Sequence, residues 1–321
     1  MALGGAGVSN FAYTSQSTVT GVSADGGVSG EGVALSRISP LALVWENDAV
    51  VWETESVLWE QAGEILDVYS GAAAAYSLRR LSSDALNVVR VRRSDNNAEQ
   101  DFTTAQITDG TLVAFVGAGN DGLVTTWYDQ SGNDNHATQA TAGNQPKIVD
   151  SGALVLNNGK AAVDCGLQSE DRYLTRSYSS LSYQSFSAFA IGSTNGFSSV
   201  GSTILGFNIS PRCYFPITRS TGLWVSYDDL EAIQISTNST EPQFIVSGFA
   251  NASTFEAFFN SQSKGSVASV PGSSSYISVG YNGGTAYHNG KIQEVIIYPS
   301  DQSANRVGIE TNINDHYEIY P

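Results

Sequence analysis

The chain reads as an all-β protein, and three observations predict it. Charged residues make up only 14% of the 321 positions, and the helix formers Lys and Glu are scarce beside β-branched and aromatic residues. Short apolar runs recur along the chain. Clusters of Asn, Asp and Gly, the residues that build tight turns, separate them. The apolar share of 41% is ordinary and, at this length, sufficient for a substantial core in one large or two modest domains.

Residues 1–65 differ in character from the rest. Met1–Ile38 is rich in Gly, Ser, Thr and Val with almost no charge, yet Val8, Phe11, Tyr13, Val19, Val22, Val28 and Val33 recur too often for a plain linker. This predicts short strands or an extended arm that orders on a partner. Trp45, Trp52 and Trp59 then stand seven apart, each followed by Glu. Three units are too few for a heptad coil, and the β-branched content opposes one. Three short strands joined by polar turns fit better. Indoles burying roughly 150–250 Å² each need a neighbouring surface. That surface is a copy of the same chain, which makes the segment an oligomerisation or docking arm, or else the chain's own body.

Residues 66–321 form the body. Ser70 is placed to cap a helix over Gly71–Leu81, with Ala74, Leu78 and Leu81 on one side. Strands are predicted at Asn87–Arg92, Leu112–Val116, Leu123–Tyr128, Lys147–Val149, Ala153–Leu156 and Ala161–Asp164. They continue at Phe186–Ile191, Thr203–Phe207, Leu223–Tyr227, Ala232–Ile235, Phe244–Phe249, Phe255–Asn260, Tyr276–Tyr281 and Lys291–Tyr298. The last alternates as a half-buried strand does, and Pro299 ends it. Gln302–Asn314 reads as a helix, with Ile309, Ile313 and Tyr317 on one side.

Charge and cysteine content remove several function classes. A net charge of −16 repels polyanions, and the small basic run Arg90–Arg93 alternates with Val89 and Val91, so no nucleic acid is expected. Cys165 and Cys213 either pair once or stay as small buried hydrophobes. With no Cys/His cluster, no metal of the zinc type is expected. No apolar run approaches the ~20 residues of a membrane span, and the start lacks the basic and apolar regions of an export signal.

Two stretches carry a family likeness. The first is the run Ala75–Leu81, Val89–Asn96, Trp127-Tyr128-Asp129-Gln130-Ser131-Gly132-Asn133, Pro146–Val149 and Asn158–Ala161. In that order it resembles the front half of the catalytic β-sandwich of family fifty-four α-L-arabinofuranosidases, and a similar block found in bacteriophage structural proteins. The second is Gly280-Tyr281-Asn282, then Asn289-Gly290-Lys291 running to Tyr298 and a short helix. It resembles the close of concanavalin-like, laminin-G-type sandwiches. Together they imply a jelly-roll β-sandwich with two short helices, preceded by a β-rich N-terminal assembly arm.

Candidate sites follow. Asp129, Asn133, Asp134 and Asn135, in the loop that ends at His136, offer oxygens for Ca²⁺ or sugar hydroxyls, or else close their own turn by bonding backbone N–H groups. Apart from that Ca²⁺, no cofactor is expected. Trp224, Tyr227, Tyr281, Tyr287 and His288, with Tyr214 and Asn282, form either a sugar-stacking platform or part of the core. A glycosidase needs two carboxylates. Glu170, Asp171, Asp228, Asp229, Glu231, Glu241, Glu256 and Glu294 are available in the second half. Leu230-Glu231-Ala232-Ile233 resembles the family's nucleophile strand, which implies Glu231, although the flanking acids and the cysteine framework depart from the family pattern.

The expectation from this resemblance is a bacteriophage virion protein, in a tail fibre, head fibre or decoration component. It would be a homotrimer that displays a lectin-like sandwich at the virion surface for carbohydrate binding and host attachment. Residues 1–65 would bind other structural proteins of the particle, and the chain would be made in the host cytoplasm without membrane insertion. The alternative is an arabinofuranosidase-like glycoside hydrolase.

Overall fold

A computed structural model describes residues 18–20, 31–33, 63–196, 201–207, 212–227, 230–238, 240–269, 271–284 and 287–321. The chain separates into two compact units, Met1–Gly63 and Glu64–Pro321. In the first, β1 (Thr18–Thr20) and β2 (Glu31–Val33) pair antiparallel, with Val19 opposite Gly32. Trp45, Trp52 and Trp59, and with them the docking and oligomerisation expectation, lie outside the described residues.

The second unit begins with α1 (Ile65–Val68), β3 (Ala74–Ser77), β4 (Val89–Arg93), β5 (Glu99–Phe102), α2 (Thr104–Thr108) and α3 (Thr111–Val116). The strands β6 (Gly122–Trp127), β7 (Ala137–Thr138), β8 (Lys147–Asp150), β9 (Ala153–Leu154), β10 (Leu156–Asn157), β11 (Lys160–Ala161) and β12 (Val163–Asp164) follow. Longer strands come next: β13 (Leu174–Ser182), β14 (Phe186–Asn195), β15 (Thr203–Phe207), β16 (Cys213–Arg219), β17 (Gly222–Tyr227) and β18 (Leu230–Ser236). The chain closes with β19 (Thr240–Ala250), β20 (Thr254–Phe259), β21 (Gln262–Ala268), β22 (Ser273–Val279), β23 (Lys291–Tyr298) and α4 (Arg306–Tyr317).

One antiparallel ladder runs β18-β17-β16-β15-β22-β13, turns a corner through β7, β6, β8 and β12, and continues β23-β14-β19-β20-β21. Its two ends, β18 and β21, approach each other. The result is a nearly closed two-layer sandwich, all-β as the composition predicted.

Two cores explain why these strands are so apolar. The first fills the space between the layers and includes Phe186, Phe207, Phe215, Tyr227 and Phe255. The second lies on the outer side of β14, β19 and β23, under α1 and α4. Strand β14 serves both: Ala188 and Ala190 face the first, while Phe189 and Ile191 face the second. On α4, Ile309, Ile313 and Tyr317 are buried together, as their spacing predicted.

Several element predictions need correction, and double burial explains those of β3 and β23. Gly71–Leu81 is not a helix. Ala74–Ser77 is a strand paired to β23, and all four of its residues are buried. Tyr76 belongs to the first core and Ala75 to the second, so no polar alternation exists to mark a strand. Strand β23 is likewise buried from Ile292 to Tyr298, rather than half-exposed. Leu112–Val116 is helical, with Leu112 and Val116 buried one turn apart and Gly110 at φ 89° before it. Four short α-helices occur among the described residues where two were expected.

Candidate functional site

The Asp129 turn is built as a clamp. Asp129 Oδ1 accepts from the N–H groups of Ala75 (2.8 Å) and Ser131 (2.9 Å). Its Oδ2 accepts from the Ser131 hydroxyl (2.8 Å) and Asn135 N–H (2.9 Å). Asn133 and Asn135 each donate a side-chain N–H, at 2.8 Å, to the carbonyls of Ala72 and Ala73 respectively. His136 Nδ1 accepts from Asp129 N–H at 3.1 Å. The buried carboxylate is thus saturated by protein donors, and the turn's work is to pin the start of β3. Asp134 is exposed and lies 3.8 Å from His136 Nε2. Among the described residues no group of three or more His, Cys, Asp and Glu is placed to hold a metal ion.

The aromatic candidates divide. Tyr227 is not on a binding surface: it is 2% exposed and stacks on Phe255 at 4.4 Å inside the first core. Its hydroxyl donates to Tyr183 O at 2.6 Å. His288 is also buried, with Nε2 against Ser193 O at 2.9 Å. Burial lowers its pKa to about 4, against the opposing pull of that hydrogen bond. Trp224 is half-buried, and its indole N–H donates to Thr221 at 3.1 Å.

Tyr281 and Tyr287 do come together. They face each other across a bridge in the β22–β23 connection, rings stacked at 4.9 Å and 17°. Tyr173, far from them in sequence, joins them at 4.7 Å from Tyr281 and 5.6 Å from Tyr287. Its only signal was an aromatic ring standing directly after the charged loop residues Asp171 and Arg172. The three are partly exposed. Partial burial raises the hydroxyl pKa of Tyr281, with a further push from Tyr173, and that of Tyr287, with a further push from Asp171.

Strand register connects this patch to Glu231. Directly paired residues share a face, and the pairs Thr175–Ser278, Ser278–Gly206, Gly206–Tyr214 and Tyr214–Ser226 form one row across β13, β22, β15, β16 and β17, while the Glu231 backbone on β18 pairs with Ser226. Phe207, Phe215 and Tyr227, on the alternate positions, face the aromatic core. The row is therefore the small, polar side of this layer. Tyr214 donates from its hydroxyl to Asn282 O at 2.9 Å and so ties the row to the tyrosine loop. At about 4.8 Å per strand, the Glu231 backbone stands roughly 10 Å from that of Tyr214.

Most other carboxylates have work elsewhere. Glu294 is fully buried and pairs with Arg79 through two hydrogen bonds of 2.7 and 2.9 Å, so it is a structural charge rather than a catalytic one. Glu170 pairs with Arg172 at 2.8 Å, Glu241 accepts from Ser236 at 2.6 Å, and Glu256 accepts from Ser263 at 2.8 Å. Asp171 is exposed beside the tyrosines. Asp228 and Asp229 lie outside the described residues. No disulfide joins Cys165 and Cys213, and both are buried.

No family model and no curated protein matches the sequence. Solved structures do match. A family 54 α-L-arabinofuranosidase soaked with a cyclic sulfate inhibitor is 16% identical with a TM-score of 0.56, and a mutant of such an enzyme soaked with 4-nitrophenyl α-L-arabinofuranoside is 16% identical with a TM-score of 0.57. An arabinofuranosidase complexed with arabinofuranosyl-α-1,2-xylobiose is 17% identical with a TM-score of 0.51. Each alignment covers 77% of this chain and 63% of the other, so the chain spans under two thirds of these proteins. The likeness is one of fold.

Proposed function

We propose that the Glu64–Pro321 sandwich is a glycoside hydrolase acting on α-L-arabinofuranosyl groups, with Glu231 as its nucleophile. The observation that supports this reading is the backbone pairing of Glu231 with Ser226, and of Ser226 with Tyr214, whose hydroxyl bonds the tyrosine loop at Asn282. The fold shared with arabinofuranosidases supplies the substrate class. In the proposed step the Glu231 carboxylate attacks the anomeric carbon as the glycosidic C–O bond breaks, and a second carboxylic acid protonates the departing oxygen. Water then releases the sugar from the glutamate. Asp171, Asp228 and Asp229 are the acids to replace first in the search for that partner.

The test uses 4-nitrophenyl α-L-arabinofuranoside at millimolar concentration. Wild-type protein is expected to release nitrophenol. Glu231→Gln is expected to lose at least ~10³ of kcat while keeping its thermal stability, since a nucleophile cannot be replaced by a neutral amide. Absence of turnover by the wild type, or full activity in Glu231→Gln, removes the reading.

A second reading, sugar binding without cleavage, is favoured by one observation. Glu170, Glu241, Glu256 and Glu294 are each held by protein groups and are not poised for chemistry.

A further inference from the structure

We propose that Tyr173, Tyr281 and Tyr287 form an accessory subsite that holds the remainder of a neutral oligosaccharide while its arabinofuranosyl group lies at Glu231. The inference rests on the hydrolase reading for its location and adds a separate set of binding residues. The patch is aromatic and partly exposed, and its three ring centroids lie 4.7 to 5.6 Å apart. Sugar rings present C–H faces that pack on such surfaces, and their hydroxyls need hydrogen-bonding groups at the edge.

Those groups are present. Among the described residues, the Tyr173 and Tyr287 hydroxyls have no protein acceptor, whereas the Tyr281 hydroxyl is spent on Gly284 O at 2.9 Å.

The described ends of the loop are also anchored. His288 N–H donates to Gly280 O at 2.8 Å, Asn195 N–H to Asn289 O at 2.9 Å, and Tyr214 fixes Asn282. The choice of a neutral glycan follows from charge. The chain carries −16 overall and Asp171 stands beside the tyrosines, so an anionic polysaccharide is repelled.

The experiment compares two substrates on full-length protein: 4-nitrophenyl α-L-arabinofuranoside, which reaches only Glu231, and arabinofuranosyl-α-1,2-xylobiose, which extends beyond it. Tyr287→Ala is expected to raise KM for the trisaccharide roughly five- to tenfold, the loss of one stacking contact, with unchanged kcat and KM on the nitrophenyl substrate. Tyr287→Phe keeps the ring and is expected to restore most of the affinity. Equal effects on both substrates, or none on the trisaccharide, overturn the subsite. If the wild type cleaves neither substrate, calorimetric titration with the trisaccharide decides. Binding that Tyr287→Ala weakens upholds the subsite while the hydrolase reading falls. Binding that it leaves unchanged, or no binding by the wild type, overturns the subsite as well.

Discussion

At the scale of single residues, the best-defined polar group is a carboxylate with no chemistry left to offer. Asp129 receives four protein donors while 8% exposed, so its charge is stabilised by fixed dipoles instead of water. Asp129→Asn keeps the shape but turns an NH₂ toward N–H groups that need an acceptor. The expected cost is about 2–4 kcal/mol, since the variant leaves buried donors unpaired and adds one more. Urea denaturation measures it. Ca²⁺ and a chelator are expected to leave the wild-type midpoint unchanged, because both Asp129 oxygens are already engaged. A midpoint that climbs with Ca²⁺ would contradict this assignment. The same residue shows what sequence could and could not offer. The Asx-rich turn was visible from composition, and bonding to backbone was one of its two readings. Its partners, Ala73 and Ala75, lie more than fifty positions upstream in a segment that reads locally as a helix.

At the scale of elements, burial on two faces governs both stability and legibility. Strands β15 and β23 fall where their apolar runs predict, Thr203–Phe207 and Lys291–Tyr298. β3 was hidden because one face meets the inter-layer core and the other meets α4, which removes the alternation that marks a strand. The tyrosine patch was half legible: Tyr281 and Tyr287 share one loop, whereas Tyr173 arrives through the β12–β13 connection, a pairing only the fold creates. Tyr227 misled because an aromatic residue next to two acidic residues looks the same whether it faces solvent or core. The second core makes a direct prediction. Ile313 is fully buried between α4 and the outer side of β14 and β23, so Ile313→Ala is expected to destabilise the fold by about 2–5 kcal/mol through lost contacts and a residual cavity. Val307, one and a half turns earlier on the same helix, is 62% exposed, and Val307→Ala is expected to stay within about 0.5 kcal/mol. Similar losses at both positions in denaturant melts would mean that α4 does not seal a core.

At the scale of the whole molecule, two opposing electrostatic effects meet as pH falls from neutrality. The net charge of −16 is self-repulsive, and protonation relieves it, which favours the compact state. Against this stands His288, fully enclosed and held neutral, with a folded pKa of about 4. An unfolded histidine titrates near 6.5, so between these values the unfolded chain binds a proton that the folded chain refuses. The stabilisation is complete above pH ~6.5, declines as pH drops through the window, and is gone below about 4. A gap of this size corresponds to roughly 3 kcal/mol. His316, half-buried and lowered first by burial and then by Arg79, pulls in the same direction more weakly because water screens it. The repulsion is spread over the surface and damped within a Debye length of about 8 Å at physiological salt, whereas the His288 effect is local and dry. The local effect should therefore win. Unfolding free energy at about 0.15 M salt is expected to fall by roughly 2 kcal/mol from pH 7 to pH 5, since most of the window lies above pH 5. His288→Gln, whose amide can still donate to Ser193 O, is expected to flatten that slope even where it lowers stability at pH 7. Stability that rises on acidification in the wild type, or an unchanged slope in His288→Gln, would show that surface charge and not this buried imidazole sets the pH response.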